Sequence, residues 1–289
     1  MGILLGVLTA LTWGSSDFLA RFATHRMGTL RTMLYMQFIG LILLTIALPW
    51  LGGWGHLADG SGWQPWAWGA LAGSVNAVST LSLYRSFEIG KMAVVAPLSA
   101  SYPVLSVSLS LLSGERLSAA RAVGIACTML GVLFVAGGER PPDENDAEAM
   151  RRSGKGIGWA LSSAVGFGVL FWLLGTHVIP RVGAPQTVWM IRLTCTVIVT
   201  AIILLARQPI GLPRNTRWMS LGMGAGDTSA FVLSNRGMQI EQVAVISVLG
   251  SLYGAVTVAL AAVVLREHVS RWQWAGIAAI FSGIYLMSR

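Results

Sequence analysis

RSFEIGKMAVVAPLSASYPVLSVSLSLLSGERLSAARAVGIACTMLG, from Arg85 to Gly131, and RGMQIEQVAVISVLGSLYGAVTVALAAVVLREHVSRWQWAGIAAIFSG, from Arg236 to Gly283, are one pattern written twice. Arg85, Ile89, Ala93 and Tyr102 recur 151 residues later as Arg236, Ile240, Ala244 and Tyr253. Glu115, Ser118, Gly124 and Gly131 recur at a shift of 152 as Glu267, Ser270, Gly276 and Gly283. A duplicated half fixes architecture before any single residue is interpreted. Both copies are strongly apolar, so the unit that was duplicated is one that meets lipid.

Composition agrees. The chain has 289 residues, of which 54% are hydrophobic and only 11% charged, with a mean hydropathy of +0.67. One soluble core does not hide that much apolar surface. The net charge of +8 sits in short gaps between apolar runs, which suits orientation in a bilayer better than a polyanionic partner and argues against nucleic acid. Cys127 and Cys195 both lie inside apolar runs, so neither a disulfide framework nor a cysteine metal site is supported, and no cofactor is expected. The run Ile3 to Leu11 lacks a basic stretch before it and a clean cleavage site after it, and reads as a first spanning helix.

Apolar stretches of about 20 residues cross a hydrocarbon core roughly 30 Å thick. About ten are present: Ile3 to Phe22, Thr32 to Leu51, Trp66 to Arg85, Met92 to Leu112, Ser118 to Gly137, Gly156 to His177, Thr187 to Ala206, Thr216 to Asn235, Val243 to Val263 and Arg271 to Met287. The chain therefore divides into a first repeat over 1–137, a polar linker over 138–155 and a second repeat over 156–289. Five helices per half is an odd number, so the second copy enters the membrane from the opposite side. The predicted fold is an all-α membrane protein of about ten transmembrane helices in two inverted five-helix repeats. One set of loops holds fourteen basic residues, Arg21, Arg26, Arg31, Arg85, Lys91, Arg140, Arg151, Arg152, Lys155, Arg207, Arg214, Arg217, Arg266 and Arg271; the other holds five, Arg116, Arg121, Arg181, Arg236 and Arg289. By the positive-inside rule both termini are then outside.

Several motifs in order carry a family resemblance. Trp13-Gly14-Ser15-Ser16 in the first helix, Arg192 in the seventh, and the segment from Ala93 through Tyr102-Pro103 to Gly114-Glu115-Arg116-Leu117-Ser118, followed by Gly124 and Gly131, resemble the drug/metabolite transporter superfamily, in particular its EamA-like branch. The resemblance covers essentially the whole chain. It implies a ten-helix secondary transporter with a central cavity lined from both halves, moving small organic solutes. It also implies termini on the inside, opposite to the charge count.

Polar groups deep in a membrane helix are functional candidates by default. Asp227 lies mid-way along the eighth helix, and Asn76 stands 151 residues earlier at the matching point of the third. Both are read as cavity residues, against the alternative of an interhelical hydrogen bond. Asp17 shares a helix face with Trp13 and Arg21, so it either pairs locally with Arg21 or faces the cavity. Arg192 lies inside the seventh helix with Gln37 at the corresponding place in the second; it pairs with Asp227 or Asp17, or snorkels to the interface. Tyr102 and Tyr253 match across the repeat and each offers a ring and a hydroxyl. Most tryptophans cluster near helix ends as an aromatic belt, leaving Trp13, Trp172 and Trp189 as stacking surfaces. Pro97 and Pro103 have Val248 and Gly254 as counterparts, so the two halves are expected to bend differently.

The sequence points to a small-molecule transporter embedded in lipid, with protons as a further partner through Asp17 or Asp227. No phosphate-binding glycine loop with Lys-Ser/Thr is present, so ATP is not the direct drive. An intramembrane enzyme is the second reading, against which His25, His56, His177 and His268 all fall near helix ends; a channel or scaffold is the third. Two acids and one arginine suit a zwitterion or amine, such as an amino acid, better than an anion.

Overall fold

A bilayer offers no water to backbone polar groups, so each apolar run must satisfy its own N–H and C=O groups as a helix. The computed structural model describes residues 1–90, 92–136, 147–265 and 271–287, and every regular element among them is helical. The first half contains α1 (Gly2–Met27), α2 (Thr29–Ala47), α3 (Gln64–Ile89), α4 (Met92–Ser99), α5 (Pro103–Leu112) and α6 (Ala119–Ala136). The second contains α7 (Ala147–Leu173), a π-helical turn (Leu174–Val178), α8 (Ile179–Val182), α9 (Ala184–Leu205), α10 (Arg217–Ile240), α11 (Val243–Ser251), α12 (Tyr253–Leu265) and α13 (Arg271–Met287). Paired as α4 with α5, α7 with α8, and α11 with α12, these make ten passes. α1 and α3 each have 26 residues, about 39 Å of helix at 1.5 Å per residue, which exceeds the hydrocarbon core. Four segments, Gly2–Met27, Thr29–Trp50, Gly156–Val182 and Ala184–Leu205, are individually long and apolar enough to cross.

Packing repeats with the halves exchanged. α1 lies on α10 as α7 lies on α3, and α2 lies on α10 as α9 lies on α3; α2 meets α9, and α6 meets α13, across the axis between the halves. The ends confirm the inversion. Met27, Arg85 and Gln208 border one hollow at one end of the bundle. Gly2 abuts Glu241, Arg121 pairs with Glu241, and Arg236 donates to the Leu51 carbonyl at the other. Arg85 and its repeat Arg236 are therefore on opposite sides.

Small residues set the close approaches. A methyl on Gly14 would come within 2.9 Å of the Tyr253 carbonyl oxygen, and one on Gly168 within 3.0 Å of the Tyr102 carbonyl oxygen, the same contact in both halves at a shift of 154. Gly28 and Gly183, which begin α2 and α9 with φ of 81° and 94°, match at 155. The π-helical turn lies between Gly168 and Gly183, and a turn with i→i+5 bonding holds one extra residue, which accounts for the change of register. As expected, Gly124 and Gly131 form a contact face, lying against the carbonyls of Gly283 and Gly276.

The fourth and ninth passes are both interrupted, between Ser99 and Pro103 and between Ser251 and Tyr253, so the break is not confined to the copy that carries the prolines. In the second copy no proline is needed. Leu252 N–H bonds the Leu249 carbonyl three residues back and the Ser251 hydroxyl takes the Val248 carbonyl, as the Ser101 hydroxyl takes Leu98 in the first copy. Within the polar segment 138–155, residues 147–155 are helical and begin α7, while 138–146 lie outside the described residues, as do Lys91, Arg266, Glu267 and Ser270.

The Gly114-Glu115-Arg116 motif has a structural use. Glu115 reaches the amides of Val243 and Ala244 that open α11, where free N–H groups and the helix dipole favour a carboxylate. Burial raises the Glu115 carboxyl above its usual range, an effect these amides and Arg121 oppose. Arg121 in turn bonds Glu241 at 2.8 Å and Gln242 at 2.5 Å, joining α6 to the junction of α10 and α11.

Candidate functional site

Residues four apart on a helix share a face, and several such pairs meet at the centre of this bundle. Trp13 and Asp17 come from α1, Thr80 and Tyr84 from α3, Phe167 and Phe171 from α7, and Asp227 and Phe231 from α10. Tyr102 and Tyr253 enter from the interruptions in the fourth and ninth passes, with Leu83 completing the wall. Together they border about 390 Å³ of empty space, its open margin included. Both halves contribute.

The walls are chiefly aromatic. Trp13 stands edge-on to Phe171 and Phe231 at centroid distances of 5.6 and 5.0 Å. Tyr102 stacks on Phe171 at 4.8 Å, and Phe171 on Phe231 at 6.3 Å. Such close rings leave little free volume between them, so anything larger than a few heavy atoms requires them to part. The Tyr102 hydroxyl donates to the Ser247 carbonyl at 2.9 Å, which fixes its ring; the buried Tyr253 hydroxyl has no bonding partner among the described residues.

The charges divide into a paired set and a single group. Arg192 is fully buried. Its guanidinium reaches the Asp227 carboxylate at 2.6 Å, the Gln37 side-chain oxygen at 2.7 Å and the Met36 sulfur at 3.6 Å, and lies over the face of Phe231 at 5.1 Å. The contact with Asp227 is an ion pair in distance; no guanidinium N–H is aligned on that carboxylate oxygen. Gly40 makes room for it, since a methyl there would meet Thr228 and come within 3.2 Å of the arginine Nε. Asp17 is also buried, 5% exposed, yet among the described residues no hydrogen bond or ion pair reaches it. It borders the cavity beside Asp227 but without a charged partner.

Of the residues singled out from sequence, Trp13, Asp17, Tyr102, Asp227 and Tyr253 meet at the cavity. Arg192 and Gln37 stand behind it and are bonded to each other, so the arginine does not snorkel to the interface. No Asp17–Arg21 pair forms; Arg21 keeps one guanidinium nitrogen buried without a partner among the described residues. Asn76 does not border the cavity. Its amide donates to the Cys195 sulfur at 3.3 Å, and Cys195 donates to the Gly73 carbonyl, so it serves the α3–α9 contact. Trp172 and Trp189 also lie away from the cavity, donating to Ser113 and Thr45. Tyr84, Phe167, Phe171 and Phe231 were missed. Their i, i+4 spacing was the available signal, but aromatic residues at that spacing are common in any membrane helix.

The EamA-like transporter family matches residues 1–137 and 154–289, one match for each half. No curated protein matches the chain. Among solved structures 29 chains match. One of them, titled only as a crystal structure of a protein, superposes with a TM-score of 0.75 at 21% identity, over 99% of this chain and 95% of its own length, and shares the fold. The duplicated ten-pass helical architecture and the two family matches agree: this chain is a multi-pass membrane protein that belongs to the EamA-like transporter family, whose members are transporters.

Proposed function

We propose that the protein is a secondary transporter that carries a small organic solute, an amino acid, an amine or a related metabolite, across the cell membrane by alternating access. The observation that carries this reading is the central cavity walled by both inverted halves and bordered by two carboxylates, Asp17 and Asp227. Two halves that exchange equivalent packing can rock about a shared centre and open it to either side in turn. Interrupted helices on both sides of the cavity suit such movement, because helix breaks concentrate the backbone change at a few residues. The drive is a proton gradient or solute exchange. The basic loops, fourteen residues against five, are cytoplasmic in this reading and both termini are outside.

The test is uptake of a labelled metabolite panel into vesicles containing the purified protein, with and without a proton gradient. Alternating access predicts saturable uptake that accelerates when the vesicles are preloaded with unlabelled solute. Non-saturating flux without such acceleration means a channel and removes the proposal. Trp13→Ala, which strips one cavity wall, is expected to lower uptake at least tenfold while the protein still purifies as a folded species.

A further inference from the structure

We infer that the cargo of this cavity is a monovalent organic cation, an ammonium on an apolar or aromatic body, with no carboxylate of its own. The inference rests on the transport reading of the same cavity and narrows it.

Charge decides the class. Among the described residues bordering the cavity there is no lysine, arginine or histidine, and there are two carboxylates. Asp227 is matched by Arg192, which also bonds Gln37 and covers Phe231, and whose burial is complete. That leaves one uncompensated formal negative charge, on Asp17. A buried carboxylate without a partner calls for a cation or a proton at its side. An amino acid would bring its ammonium to Asp17 and its carboxylate to a wall with no positive group. Releasing Arg192 to receive it would strand Asp227 instead.

The walls suit the same class. Aromatic faces attract cations through the ring quadrupole and accept apolar bodies by burial. Trp13 is four residues from Asp17 on one helix face, and Tyr102, Phe171 and Phe231 crowd the same space. The cavity already demonstrates the contact, with the Arg192 guanidinium held over Phe231. The unpartnered Tyr253 hydroxyl supplies an acceptor for an ammonium N–H. Because Asp17 takes either a proton or the cation, the two compete.

The experiment measures binding of three probes to the intact purified protein in detergent by calorimetry: phenethylamine, phenylalanine and 3-phenylpropionate, which share a ring and chain and differ in charge. Phenethylamine is expected to bind, phenylalanine at least about tenfold more weakly and 3-phenylpropionate not at all. Phenethylamine affinity is expected to fall as pH falls, with Asp17→Glu retaining binding and Asp17→Asn losing it. Phenylalanine binding as tightly as the amine overturns the inference, as does the absence of phenethylamine binding. These comparisons use the unmodified protein, so they stand even where Asp17→Asn does not fold. Selective amine binding with no saturable movement in vesicles would instead defeat the transport reading and leave the site.

Discussion

The Arg192 guanidinium and the Asp227 carboxylate lie 2.6 Å apart with the arginine fully buried, so the most prominent intramembrane acid already has a partner within the protein. Both Asp227 and Asp17 border the cavity, and Asp17 is the one without a charged partner among the described residues. The paired and the unpaired acid have different consequences.

For the pair, removing one member leaves an uncompensated buried charge. Arg192→Gln or Asp227→Asn is expected to cost about 3–5 kcal/mol of stability. The double variant is expected to cost less than the sum of the singles, since neither charge is then stranded. Unfolding of the four proteins in one detergent system measures this. Additive losses would mean that the two groups do not interact.

Gly40 is expected to be intolerant of even a methyl, because the space a Cβ would take is occupied by Thr228 and the Arg192 side chain. Gly40→Ala should destabilise by about 1–3 kcal/mol through overpacking. Adding Thr228→Ala, which removes the nearest atom, should recover part of that loss. A neutral Gly40→Ala would contradict the close α2–α10 approach.

Glu115 gives a pH signature. Burial raises its carboxyl above the usual range, so the folded state holds its proton more tightly than the unfolded chain does. That contribution is present below the unfolded value and is lost as pH rises through the folded one. Glu115→Gln should remove it, so the melting temperature of the variant relative to wild type is expected to be higher at pH 7.5 than at pH 4.5. A difference that is the same at both values would exclude a titrating Glu115.

Orientation is open to labelling. With Cys127 and Cys195 replaced, a cysteine at position 151 is expected to react with an impermeant maleimide only from the cytoplasmic side, because it belongs to the basic set of loops. Reaction only from outside would reverse the assignment of the termini.

The repeat between Arg85 and Gly131 and between Arg236 and Gly283 determined the fold by itself. Apolar runs in lipid have one way to satisfy their backbone, and an odd number of passes per copy forces inversion. Asp17, Asp227 and the two tyrosines were legible as well, because charges and hydroxyls inside apolar helices stand out against their surroundings, and Trp13 shares a helix face with Asp17. Matching positions did not reveal partners. Asn76 and Asp227 are equivalent in the repeat, yet one turns to Cys195 and the other to Arg192, since a helix face is chosen by whichever neighbour is packed there. The interruption of the ninth pass was hidden for a similar reason: it has no proline, and Ser251 and a three-residue backbone bond lie at the break. What the tertiary structure alone decided was the pairing of charges. Sequence counts two acids and one arginine in the membrane; only the packing of α2, α9 and α10 around Arg192 determines that Asp227 has a charged partner and that Asp17, at the cavity, has none among the described residues.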